Sequence, residues 1–178
     1  MTERIVSRRG VLAVAAALPV SGVPVAGRTA APQPGDVLTA VDEPAHTALR
    51  PDAIRAGAAP ILAWPMDRQT GVVRDGVRFN QVLLLRLPAG EGTAQGALVA
   101  FSAICQHAGC LVSGWIAQRH VLHCPCHGSE YDPAHDGAVV VGPAPFALPA
   151  LPLRIADGAV TVAGPFSGRV GGHAGRTD

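Results

Sequence analysis

A chain of 178 residues and 18.1 kDa has room for one domain of ordinary size plus tails, and 48% hydrophobic with 15% charged residues excludes a disordered chain. The 21 glycines and 16 prolines interrupt long helices and favour short strands joined by turns. All 14 basic residues are arginine, balanced by 13 acids to a net charge of +1, which leaves no basic surface for nucleic acid.

The first segment reads as an address. Ser7-Arg8-Arg9-Gly10 precedes residues 11–26, an apolar stretch with Pro19 and Pro24 and no charge before Arg28. This pattern resembles a twin-arginine export signal. A spanning helix needs about 20 apolar residues, so the expectation for residues 1–28 is a cleaved signal, with retention as a membrane anchor as the alternative. Twin-arginine export carries folded proteins, which implies a cofactor inserted before export. It places the protein in the periplasm or on the outer face of the cytoplasmic membrane.

Residues 29–53 are rich in Pro, Ala and charge without a sustained period and read as a linker. The domain is expected over residues 54–165, with a Gly-rich tail over 166–178. Within it, residues 71–74 and 77–80 flank Asp75-Gly76, and residues 153–156 and 159–162 flank Asp157-Gly158, a dipeptide that suits type I′ hairpins. Residues 81–87, 97–104 and 115–122 read as further strands. The fold class is therefore all-β, a small antiparallel sandwich or barrel without a helix of note.

The four cysteines fall in two boxes, Cys105-Gln-His107-Ala-Gly-Cys110 and Cys124-Pro-Cys126-His127-Gly-Ser129. Six soft or borderline ligands exceed the four of a structural zinc. The Cys-x-x-Cys spacing of zinc sites and thioredoxin-like dithiols occurs nowhere. An arrangement that uses every residue makes four of them ligands of one metal centre and leaves two cysteines to pair, which an exported protein permits. His46, His120, His123, His135 and His173 match no motif position and read as surface or loop residues, and Trp64 and Trp115 as core or edge aromatics.

The two boxes resemble those of the Rieske iron-sulfur proteins, Cys-x-His-x-Gly-Cys and Cys-Pro-Cys-His-Gly-Ser, and the resemblance runs over residues 97–163, including Tyr131-Asp132 and Gly142-Pro143-Ala144-Pro145. It implies a Rieske fold whose cluster-binding subdomain is two loops. It also implies a 2Fe-2S cluster with Cys105 and Cys124 on one iron and His107 and His127 on the other. Cys110 and Cys126 would form a disulfide, Ser129 and Tyr131 would donate hydroxyl hydrogen bonds that tune the cluster, and Gly142 and Pro143 would belong to a covering loop. The cysteine pair points to the high-potential branch rather than to the ring-hydroxylating oxygenases.

The function implied is electron transfer by a subunit of an oxidoreductase complex that is not catalytic by itself. The leading expectation is the small iron-sulfur subunit of a periplasmic molybdenum oxidoreductase, resembling that of arsenite oxidase through the leader, the short domain, Pro60-Ile-Leu-Ala-Trp-Pro and Val82-Leu-Leu-Leu-Arg-Leu. The alternative is the Rieske subunit of a quinol-cytochrome c reductase, the cytochrome bc1 complex, with the leader kept as an anchor and residues 29–60 as a swinging tether. Partners would be a larger redox subunit, molybdopterin-type or cytochrome b, together with a c-type cytochrome or quinol.

Overall fold

The computed structural model describes residues 25–90 and 96–172. Most of the expected export signal and the last six residues lie outside the described residues. Within them, no helix is long and apolar enough to cross a membrane.

Ten strands build two antiparallel sheets among the described residues. The larger has the order β4-β3-β2-β1-β10-β9, formed by β1 (Val37–Ala40), β2 (Ile61–Met66), β3 (Val82–Arg86), β4 (Leu98–Ser102), β9 (Leu153–Ala156) and β10 (Ala159–Val162). The smaller runs β5-β6-β7-β8, from β5 (Gly114–Ile116), β6 (Val121–Cys124), β7 (Ser129–Asp132) and β8 (Ala138–Val141). The six-stranded sheet curls until its two edge strands, β4 and β9, approach each other.

The unbroken apolar run of β3 is explained by burial on both faces. Leu83 and Leu85 point into a core shared with Phe101, Leu122, Tyr131 and Leu148, which joins the two sheets. Val82 and Leu84 point the other way, onto Leu38, Ala63, Val160 and Val162 inside the curl. Alternation with a period of two thus feeds two cores from one strand.

The Asp157-Gly158 hairpin forms as expected, with both residues at positive φ, +49° and +74°. The Asp75-Gly76 hairpin does not form, because tertiary partners take over the turn. The Arg28 guanidinium binds both Asp75 carboxylate oxygens at 2.7 and 2.9 Å, and Gly76 N–H donates to the Arg28 carbonyl. Residues 72–74 pair with the end of β2 instead, and Arg78–Asn80 turns as a 3-10 helix. Pro65 has no N–H to return to Arg74, whose carbonyl accepts from Asn80 Nδ2 at 2.9 Å instead.

Two further expectations are corrected. Residues 115–122 are a hairpin rather than one strand, split at residues 117–120 with His120 at φ +50°. The presumed linker, residues 29–53, contains β1, which lies between β2 and β10 and pairs with both. Its Asp36 forms a buried two-point ion pair with Arg74 at 2.6 and 2.8 Å. Four residues suffice for such a strand, which is too short for a periodic signal to stand out among prolines. The presumed tail also joins the domain, since Phe166 packs against the inner core.

Candidate metal centre

Two loops present the chemistry-bearing side chains. The first follows β4, where an isolated bridge between Ile104 and Leu111 closes its base. Cys105 N–H donates to the Cys110 carbonyl at 2.8 Å, and Gly109 N–H donates to the Cys105 carbonyl at 3.1 Å. Gly109 sits at φ +70°, where a Cβ would be strained. The second loop joins β6 to β7 across the register pair Cys124 and Ser129, and Gly128 N–H donates to the Cys124 carbonyl at 3.0 Å.

Cys110 and Cys126 form a disulfide between the loops, with Cα atoms 6.5 Å apart. The sulfurs of Cys110, Cys124 and Cys126 lie within 4.8 Å of one another, but the bridge consumes two of those thiols. The free thiols are Cys105 and Cys124, both buried in the shared core. At the opposite, outer end His107 and His127 meet edge to face, Nδ1 to Nδ1 at 3.2 Å, with His127 exposed.

This donor set fits a cluster with mixed ligands. Burial pushes the Cys124 thiol up, with Cys105 beside it adding to the rise. Two adjacent buried thiolates are disfavoured in an empty protein and favoured only once a cationic group lies between them. Cys105 and Cys124 would hold the inner iron, and His107 and His127, through converging Nδ1 atoms, the outer one.

Tyr131 is fully buried with its hydroxyl 3.1 Å from Cys105 Sγ and 3.0 Å from the Gln106 main-chain nitrogen. The Gln106 N–H can only donate, so the phenol oxygen accepts there and its own proton is free for the sulfur. Burial and the neighbouring thiol push the phenol up, and it stays protonated. Ser129, equally buried, accepts from Ala144 N–H at 3.2 Å through Oγ and keeps its proton to donate. Gly142, at φ +93°, lies so close to Gly128 and Ser129 that a Cβ would collide with their backbone, while Pro143 is exposed beside it. The loop over residues 142–145 therefore rests directly on the second box.

Two contributors escape sequence reasoning. Gln106 lies inside the first box at a position that accepts any residue by pattern, and its role comes from its main-chain N–H. Arg119 and Glu130 form a two-point ion pair at 2.7 and 2.8 Å, which holds the Glu130 carboxyl below the usual carboxylate range. That pair ties the β5–β6 turn to β7 between Ser129 and Tyr131.

Removing the hydroxyls as Ser129→Ala and Tyr131→Phe deletes donors that bind a reduced, more negative cluster more strongly than an oxidised one. At about 1–3 kcal/mol per lost hydrogen bond, each variant lowers the one-electron potential by about 40–130 mV with iron content unchanged. Protein-film voltammetry reads the shift, and an unchanged potential in both variants would show that neither hydroxyl acts on the cluster.

A small all-β protein whose paired loops carry buried thiols at one end and imidazoles at the edge is built as an iron-sulfur electron carrier. Residues 65–152 match the model of the Rieske 2Fe-2S domain. The chain is a Rieske-domain protein, and its cofactor is a 2Fe-2S cluster.

Among curated relatives, the cytochrome bc1 complex Rieske iron-sulfur subunit of Corynebacterium diphtheriae is 44% identical over 104 residues, 52% of this chain and 26% of that protein. A Rieske subunit assigned to a respiratory nitrate reductase of Haloferax mediterranei is 44% identical over 73 residues, 40% of this chain and 32% of that protein. The chain thus spans about a quarter to a third of these relatives' length. Among solved structures, the soluble domain of Rieske protein II (soxF) of Sulfolobus acidocaldarius is 35% identical with a TM-score of 0.38, covering 43% of this chain and 46% of that one.

Proposed function

We propose that this Rieske electron-transfer protein serves a quinol-oxidising complex of the cytochrome bc1 type, working between a quinol at a cytochrome b subunit and a c-type cytochrome. The observation that carries the reading is the 44% identity to a bc1 Rieske subunit over 104 residues. It displaces the expectation of a subunit resembling that of arsenite oxidase, which rested on the leader, the short domain, two short strand segments and the Gly-rich tail. The Haloferax match supports a second reading, service to a respiratory nitrate reductase.

The residues suit such a task. When bound, the 2Fe-2S cluster supplies a one-electron carrier whose neutral imidazole ligands make it easier to reduce than an all-cysteine cluster. His127, exposed at the edge, can exchange a proton at Nε2 with a donor outside the protein. Tyr131, Leu122, Phe101 and Leu148 exclude water from the thiol end. The purified protein is expected to hold two iron and two acid-labile sulfide per chain with no zinc, and to bring down a cytochrome b subunit when isolated from membranes. Stoichiometric zinc without sulfide would overturn the cluster, and co-isolation with a nitrate reductase catalytic subunit would favour the second reading.

The site of action belongs to the same proposal: export by the twin-arginine route to the outer face of the cytoplasmic membrane. The Arg8-Arg9 leader supports it, as does a disulfide, which persists in oxidising compartments. Arg8→Lys combined with Arg9→Lys is expected to leave folded, cluster-loaded protein in the cytoplasm, as fractionation and immunoblotting would read. Undiminished export would remove the proposal.

A further inference from the structure

Residues 163–172 leave β10, cross the molecule and end on the first cluster loop. The path is pinned at each stage. Ala163 N–H donates to the Pro152 carbonyl at 2.7 Å, and Phe166 sinks into the inner core. Ser167 N–H then donates to the Ala150 carbonyl at 2.8 Å, while its Oγ accepts from Ala150 N–H at 2.9 Å. Ala150 is itself bridged to Phe101 of β4, so the crossing segment is anchored to the larger sheet.

At the far end Gly172 N–H donates to Gln106 Oε1 at 3.1 Å. Gly171 and Gly172 stand at φ +95° and +60°. A Cβ on Gly172 would collide with the Gln106 carbonyl oxygen, and one on Gly171 would press to 3.0 Å on the Phe79 ring. Two glycines are therefore what allow the chain to lie against the loop. Gln106 is only 3% exposed, yet it borders a cavity of about 370 Å³ between residues 146–149 and the crossing segment. On that side its position is held by hydrogen bonds more than by packing. Among the described residues its side-chain amide also donates a long 3.5 Å hydrogen bond from Nε2 to the Ile104 carbonyl.

Gln106 is also the residue whose main-chain N–H occupies the Tyr131 oxygen and so leaves the phenol proton for Cys105. We propose that residues 163–172 are a positioning strap for the redox centre: Gly172 fixes Gln106, and Gln106 aims the Tyr131 hydroxyl at the cysteine sulfur. The hydrogen bond from the segment to the first box runs to the Gln106 side chain, and the strap acts through Gln106 and Tyr131. The inference rests on the reading of Tyr131 as a donor to Cys105.

The test uses the full-length, cluster-loaded protein in four forms: Gly172→Ala, Tyr131→Phe, the two combined, and Gly168→Ala, where a Cβ meets nothing within 4 Å. Gly172→Ala is expected to lower the reduction potential in the same direction as Tyr131→Phe, and the combined variant to go no lower than Tyr131→Phe alone, because the two act on one hydrogen bond. Exchange of the Gln106 amide hydrogen, read by mass spectrometry or NMR, is expected to quicken in Gly172→Ala and stay slow in Gly168→Ala. Gln106→Leu, which removes the Oε1 acceptor at similar size, gives the same potential test should Gly172→Ala fail to fold. An unchanged potential in Gly172→Ala, or a drop that adds fully to that of Tyr131→Phe, overturns the strap. If Tyr131→Phe itself leaves the potential unchanged, the tuning reading fails and the strap with it. If Tyr131→Phe lowers it and Gly172→Ala does not, the strap alone is wrong.

Discussion

Cys105→Ser and Cys124→Ser are each expected to abolish cluster binding while leaving the β-fold intact. A serine hydroxyl does not ionise near neutral pH, so the inner end of the site loses half of its negative charge when one thiol is replaced. The loss is not recovered from the spare sulfurs, because Cys110 and Cys126 are bonded to each other. The shared core keeps Leu83, Phe101, Leu122 and Tyr131, which hold the fold although a hydroxyl buried in place of a thiol costs about 1–3 kcal/mol. Iron analysis and the visible absorption spectrum measure the outcome, with far-ultraviolet circular dichroism to follow the fold. His135→Ala, an exposed histidine bonded to Asp132, serves as the control and retains full iron. Stoichiometric iron in Cys124→Ser would remove that residue from the ligand set.

The second large effect concerns the bridge between the loops. Cys110 and Cys126 are 16 residues apart, and closing a loop of that length restricts the unfolded chain by about 3 kcal/mol. Cys110→Ala with Cys126→Ala is expected to lose stability on that order, measured as a lower urea midpoint, with a slope that rises as the released unfolded chain exposes more surface. Cys126 is exposed, so dithiothreitol reaches the bridge in the native protein and is expected to reproduce the loss. The effect extends to the metal, since the disulfide sets the second loop against the first. Cluster release from the double variant is expected to be faster than from the parent. A urea midpoint that does not move would mean that the loops are held together by the backbone alone.

The site was legible because its chemistry is concentrated. Cysteine and histidine at fixed spacings carry a meaning that no local conformation can change, and two boxes within 25 residues leave few ways to combine them. The Asp157-Gly158 turn was legible for a different reason: both positive φ angles are satisfied within the hairpin itself. Asp75-Gly76 has the same local preference, and there a distant arginine outweighs it. The main-chain role of Gln106 and the Arg119–Glu130 tie were not legible, because neither follows from residue type. They exist only once β7 is laid beside β6 and the loops are folded over it.

The place of β1 in the larger sheet has a mechanical consequence. Thirty-two residues of free chain, 29–60, could in full extension reach roughly 110 Å and let a tethered head sweep a wide arc. That leash does not exist here, because residues 37–40 are stitched to strands on either side and Arg28 is clamped to Asp75. Under the proposed bc1-type reading, any travel of the cluster edge therefore carries the larger sheet with it as cargo, because β1 is one of its inner strands.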